Sequence, residues 1–122
     1  MAQYTFIVLS NPTTPAQEEE YNDWYNRVHL ADVLNVPGIV AVQRFRLADT
    51  QFDENPSHKY LAKYELETDD LEALLADLAS RMHTPDMIIS DAFDLANVRG
   101  YLFSALGERV LAADVQRPRR VA

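Results

Sequence analysis

The sequence predicts one α+β domain in the order β-α-β-β-α-β, built around a four-stranded antiparallel sheet. Two kinds of observation carry this. Four segments either alternate apolar and polar residues or concentrate β-branched and aromatic ones, as strands do, and two stretches of helical 3-4 spacing lie between them. Pro, Gly and Asn punctuate the joints. The 122 residues, 48% of them hydrophobic, suffice for a single core.

Gln3 to Ser10 mixes Tyr, Thr, Phe, Ile, Val and Leu and stops at Asn11-Pro12, which makes it the first strand. A helix begins at about Thr14. Pro15 suits its first turn, and Glu18, Glu19 and Glu20 complement the positive end of the helix dipole. Tyr21, Trp24, Tyr25 and Val28 keep helical spacing, and the pattern continues through Leu30, Val33 and Leu34 to Pro37-Gly38. Ile39 to Leu47 alternates as a second strand, with Ile39, Ala41, Gln43, Phe45 and Leu47 on one face and Val40, Val42, Arg44 and Arg46 on the other. Ala48 to Ser57, rich in Asp, Asn, Glu and Pro, is a surface loop.

His58 to Glu67 forms the third strand, with His58, Tyr60, Ala62, Tyr64 and Leu66 on one face. Thr68-Asp69-Asp70 caps a second helix whose Leu71, Leu74, Leu75, Leu78 and Met82 recur at helical spacing, ending near His83 to Pro85. His83 there complements the helix C-terminus. A short helical turn is expected over Asp86 to Ala92, and a fourth strand over Val98 to Leu106. This order is the ferredoxin-like arrangement, with both helices on one face of the sheet. The other face carries too many apolar and aromatic residues to meet water, so a homodimer is expected. Residues 1–110 form the domain and 111–122 a basic C-terminal tail carrying Arg117, Arg119 and Arg120.

Eleven Lys and Arg stand against 19 Asp and Glu, a net charge of -8, which opposes binding to nucleic acid or anionic membranes. With no Cys, disulfides, thiolate metal sites and Cys nucleophiles are excluded. There is no basic leader before the first apolar run and no stretch long enough to span a bilayer, so a cytoplasmic location is expected. Neither a metal-ligand spacing, a glycine-rich phosphate loop nor a Gly-x-Ser-x-Gly elbow is present, and no cofactor is expected.

Glu20-Tyr21-Asn22-Asp23-Trp24-Tyr25-Asn26-Arg27-Val28-His29-Leu30, followed by Asp32-Val33-Leu34, Val36-Pro37-Gly38 and Gln43-Arg44-Phe45-Arg46, resembles the EthD-like branch of the dimeric α+β barrel superfamily. The resemblance covers nearly the whole chain. It implies a barrel made by the sheets of two subunits, with a small pocket in each between sheet and helices. Relatives include cofactor-free cyclases, isomerases, oxygenases, a lyase and haem-binding enzymes, so the fold does not name a reaction.

His29 is the leading candidate for proton transfer, since an imidazole can take or give a proton near neutral pH and the family's matching histidine lies near its pocket. Tyr25 lies one turn away, and Asp32 is placed to orient the ring. His58 shares a strand face with Tyr60 and Tyr64, which makes a His-Tyr pair on a pocket floor if that face looks toward the helices and interface aromatics if it looks away. Arg44 and Arg46 can bind an anion or an enolate, or pair with carboxylates of a second subunit. Trp24 can stack on a planar ligand or pack in the core, and Asn22 and Asn26 can hydrogen-bond a carbonyl. The reading is a cofactor-free acid-base enzyme, a lyase, cyclase or isomerase, working through an enolate on a small carbonyl-containing, aromatic or polyketide-like substrate. Alternatives are a non-catalytic dimeric small-ligand-binding protein and a small oxygenase, cofactor-free or with His29 ligating haem.

Overall fold

The computed structural model describes residues 1–115; Arg117, Arg119 and Arg120 of the basic tail lie outside the described residues. Strands β1 (Ala2–Ser10), β2 (Ile39–Arg46), β3 (Tyr60–Thr68) and β4 (Arg99–Phe103) form one antiparallel sheet in the order β2-β3-β1-β4. Helical segments α1 (Glu18–Trp24), α2 (Leu30–Leu34) and α3 (Leu71–Arg81) lie between strands as the ferredoxin-like order requires. The expected fold class is therefore the observed one.

Alternation decides which side of the sheet is buried. Phe6 pairs with Tyr64, Val8 with Ala62 and Ser10 with Tyr60, so these side chains share the face that the helices cover. Tyr60, Ala62, Tyr64 and Leu66 are all buried there. The register of β2 departs from a simple alternation: Ile39 pairs with Leu66 while Ala41 pairs with Glu65, leaving Val40 as an extra residue. That bulge turns Ile39 to the helix side, where it is 4% exposed, and sends Val40 to solvent at 52%. Strict alternation placed both on the opposite faces.

The first helix is not regular. Between α1 and α2 the chain makes a π turn over Tyr25–His29, in which Leu30 N–H donates to the Tyr25 carbonyl five residues back. The wider turn keeps Tyr25 and His29 on the inward face with Tyr21 and Trp24, and leaves Val28, expected inside, 39% exposed. Asp70 caps α3 by accepting from Ala73 N–H at 3.0 Å, as its position in the sequence suggested.

The connection from α3 to β4 carries no helical turn over Asp86 to Ala92, contrary to expectation; the turn is a 3-10 one at Leu95–Asn97. Tertiary bonds replace helical ones here. Thr13 N–H donates to the Ala92 carbonyl at 2.8 Å, Thr13 Oγ1 to the Asp91 carbonyl at 2.6 Å, and Trp24 Nε1 to the Ile88 carbonyl at 3.1 Å. These pins hold Met87, Ala92 and Phe93 in the core. The third strand begins at Tyr60 rather than His58, and the fourth is shorter than Val98 to Leu106.

Gly38 ends the first helical unit with φ +97°, and a Cβ there would lie 2.6 Å from Leu74 Cδ1 and 3.2 Å from the Glu67 carbonyl oxygen. Both the backbone and the close approach of α3 therefore require glycine. Gly38→Ala is expected to lower unfolding free energy by about 2 kcal/mol or more, measured as a reduced urea midpoint at unchanged slope.

Candidate functional site

The sheet, the π turn and the 82–98 connection line a half-open cavity of about 220 Å³. Phe6, Val8, Tyr64 and Gly100 give its floor, Tyr25, His29 and Val33 one wall, and Leu78, Met82, Met87, Phe93, Leu95 and Val98 the rest. Gly100 makes the space, since a Cβ would stand 2.9 Å from the Phe6 ring. The lining is apolar apart from three groups: the Tyr25 and Tyr64 hydroxyls and the His29 imidazole. A volume below the roughly 300–1,000 Å³ of drug-sized sites suits a compact ligand of one or two rings. A haem is too large for it, so the expectation of a haem ligated by His29 does not fit.

His29 is 9% exposed and held by rings. It stacks on Trp24 with centroids 4.6 Å apart and meets the Tyr25 ring edge-on at 5.0 Å. Its Nδ1 is buried with no hydrogen-bond partner among the described residues. Asp32, expected to orient the ring, forms no hydrogen bond to it. Loss of water around the imidazole, reinforced by the Arg44 charge, lowers the His29 pKa to about 4. The ring is thus neutral at pH 7, and it is part of the cavity lining although its Nδ1 is itself closed off.

The hydroxyls of Tyr25 and Tyr64 are 3.4 Å apart, a long contact that leaves both able to turn to a ligand oxygen. Burial pushes the Tyr64 phenol to about 12, and desolvation followed by repulsion from Tyr64 pushes Tyr25 well above its ordinary range. Both are donors at neutral pH. The β3 face bearing Tyr60 and Tyr64 thus looks toward the helices, which resolves the alternative left open by the pattern.

Arg44 lies behind this wall rather than in it. Its guanidinium donates to Asn26 Oδ1 and Asn22 Oδ1, each at 2.9 Å, and its Cζ is 4.1 Å from the Tyr25 ring centroid. Asn26 therefore holds Arg44 instead of facing the cavity. Tyr60 is also outside: its hydroxyl donates to Glu18 Oε2 at 2.8 Å and accepts from Asn22 Nδ2 at 2.9 Å. His58 sits apart from the cavity, bonded through Nδ1 to Ser57 Oγ at 2.8 Å and through Nε2 to the Asn97 carbonyl at 2.6 Å. It ties the 48–57 loop to the chain before β4. Trp24 backs His29 as a packing partner and does not line the cavity.

The sequence pattern did not point to Met87, Phe93, Gly100 or Val98 as cavity residues. Only the aromatic character of Phe93 carried any signal. No group of three His, Asp or Glu side chains able to hold a metal comes together among the described residues, and no helix among them is long and apolar enough to cross a membrane.

His29 links the cavity to stability. The unfolded chain takes up a proton near pH 6.5, the folded one only near pH 4, so stability present above pH 6.5 is lost as pH falls toward 4, by on the order of 3 kcal/mol. Urea titrations from pH 7 to pH 4 are expected to show this loss in the wild type and a shallower one in His29→Gln.

No family model matches the chain, and no functionally curated protein matches its sequence. Solved structures do match it. HapK from Hahella chejuensis aligns with 17% identity over 89% of this chain and 98% of its own, at a TM-score of 0.55. A provisionally assigned monooxygenase from Shewanella loihica aligns with 14% identity over 88% of this chain and 97% of its own, also at 0.55. An EthD-family protein from Bacillus halodurans matches at 10% identity over 87% of this chain and 100% of its own, at 0.48. The likeness is one of fold: this chain has the ferredoxin-like α+β architecture of HapK and the Shewanella protein.

Proposed function

We propose that the protein is a small enzyme that moves a proton on a compact carbonyl compound bound in the cavity, with His29 as the proton shuttle. The observation that carries this reading is a neutral imidazole on the wall of an apolar cavity that is also lined by two tyrosines whose hydroxyls face each other. A ketone oxygen between the Tyr25 and Tyr64 hydroxyls would place its α-carbon toward His29. The imidazole takes the α-proton; negative charge moves to the oxygen, where the phenols stabilise it beside apolar walls. Returning the proton elsewhere isomerises the substrate, while attack of the enolate on a second carbonyl closes a ring or, in reverse, cleaves a bond. Lyase, cyclase and isomerase chemistry share this enolate.

A second reading has one observation in its favour. The Shewanella neighbour is assigned, provisionally, as a monooxygenase, and an electron-rich enolate or phenolate is also where cofactor-free oxygenation starts. Product analysis with and without dioxygen separates the two. A non-catalytic binding protein would bind the same molecules and leave their α-protons in place.

We also propose a homodimer joined through the open sheet face. Val40, Phe45, Tyr101 and Phe103 are between 43% and 56% exposed, and Phe45, Tyr101 and Phe103 belong to the face opposite the helices. Such a surface favours a second sheet over water. Sedimentation at micromolar concentration is expected to give twice the mass of 13.9 kDa, and Phe103→Lys to give the monomer; a monomeric wild type refutes the dimer.

The proton-transfer reading is tested by exchange of α-protons for deuterium in small aryl ketones, followed by NMR. The wild type is expected to catalyse exchange. His29→Ala is expected to slow it by roughly 10²- to 10⁴-fold, and Tyr25→Phe or Tyr64→Phe by smaller factors. Since His29 titrates near pH 4 and Tyr64 near 12, the rate should be level from about pH 5.5 to pH 9. Full exchange in a folded His29→Ala protein removes the assignment.

A further inference from the structure

In a chain of net charge -8, Arg46, Lys63, Arg99 and Arg109 have no carboxylate partner among the described residues but are exposed, whereas Arg44 lacks one and is half-buried. The ion pairs there are Arg27 with Asp23, Lys59 with Glu18 and Arg81 with Asp77. Arg44 instead packs its guanidinium on the Tyr25 ring, with the Tyr21 and Tyr60 rings at 5.4 and 5.3 Å, and is fixed by two amide oxygens. Glu18, the carboxylate joined to this group, bonds Tyr60 and Lys59. A half-buried positive charge is therefore held, without a counter-ion, one aromatic ring away from the cavity. Asn22 and Asn26 supply oxygens that orient it and add no negative charge to cancel it.

We propose that Arg44 makes the cavity selective for weakly acidic phenols and enols, whose oxyanions are stabilised by a charge acting through the Tyr25 ring. This rests on the cavity being the substrate site. The ligand oxygen is to lie at the Tyr25 and Tyr64 hydroxyls, and its proton is released to solvent, because the same charge opposes an imidazolium at His29. The cavity wall itself carries no cation, so a strong acid such as a carboxylate, which must enter fully charged through apolar surface, gains less than a ligand that enters neutral and ionises in place. In agreement, the Arg44 charge offsets part of the rise that burial imposes on Tyr25 and Tyr64. Arg44 is thus a positioning residue: it touches Tyr25, not the ligand.

The test uses 4-nitrophenol, whose phenolate is coloured and whose phenol is not, bound to the full chain and titrated by absorbance, with the His29 ring signals in NMR reporting its location. At an effective dielectric of about 20, a unit charge one ring away is worth about one to two pKa units. The bound ligand's pKa is expected to be higher by that amount in Arg44→Met than in the wild type. Arg44→Lys, which keeps the charge, is expected to stay close to the wild type. Should Arg44→Met fail to fold, Asn26→Ala, at an exposed position, frees the guanidinium and is expected to raise the ligand's pKa by half that amount or more. A ligand pKa that is the same in Arg44→Met as in the wild type overturns the role of Arg44 and leaves the proton-transfer reading standing. Failure of nitrophenol to move the His29 signals overturns both.

Discussion

The constraint on which the structure depends is that one helical unit must turn Tyr21, Trp24, Tyr25 and His29 all onto the same side. These four rings, with Phe93 from the distant 82–98 connection, form a continuous cluster of edge-on and stacked pairs over β3. A regular helix drifts as successive i+4 positions accumulate, and the π turn at Tyr25–His29 removes that drift where it matters. The cluster then fixes what lies above it. Trp24 must bond the Ile88 carbonyl, which brings the 82–98 connection down onto the helix and closes the cavity.

Buried hydroxyls in such a cluster need partners, and the structure supplies them one by one. Tyr21 shares a short hydrogen bond with Ser10, Tyr60 reaches Glu18 and Asn22, and Tyr25 faces Tyr64. Against that complete set, the unpartnered Nδ1 of His29 stands alone among the described residues. Leaving a buried ring nitrogen unpaired costs about 1–3 kcal/mol, and the ring that bears it is also part of the cavity lining.

The fold was legible because its signals are local. Alternation in β3, the Asp70 cap and the leucine spacing of α3 each act within a few residues, and each places its element correctly. Three features were not legible. The Val40 bulge reverses the face of Ile39 and lies just after Gly38, which packs against Leu74, a contact distant in sequence. The π turn has no composition of its own. The 82–98 connection lacks periodicity because its internal hydrogen bonds close only single turns, while others go to Thr13, Asn11 and Trp24. The site divides in the same way. His29, Tyr25 and Tyr64 follow from helix spacing and strand parity, whereas His58, Tyr60 and Asn26 have side chains engaged by Asn97, Glu18 and Arg44, and no spacing rule reveals partners that the folded chain alone brings near.

A cation placed near a histidine weakens it as a base, so the joint presence of Arg44 and His29 calls for a reason. In the proposed reaction, proton transfer from a neutral substrate to a neutral imidazole creates two opposite charges in an apolar cavity. Arg44, on the far side of Tyr25 from the cavity, lowers the energy of the negative charge and raises that of the positive one. The imidazolium becomes the less stable half of the pair and gives its proton up readily, while the oxyanion is the half that persists. A site built this way favours substrates whose own acidity already brings them close to ionisation, and it disfavours any that require a strong base. Acid strength in the ligand and charge behind the wall then do together what His29, titrating near pH 4, does not do alone.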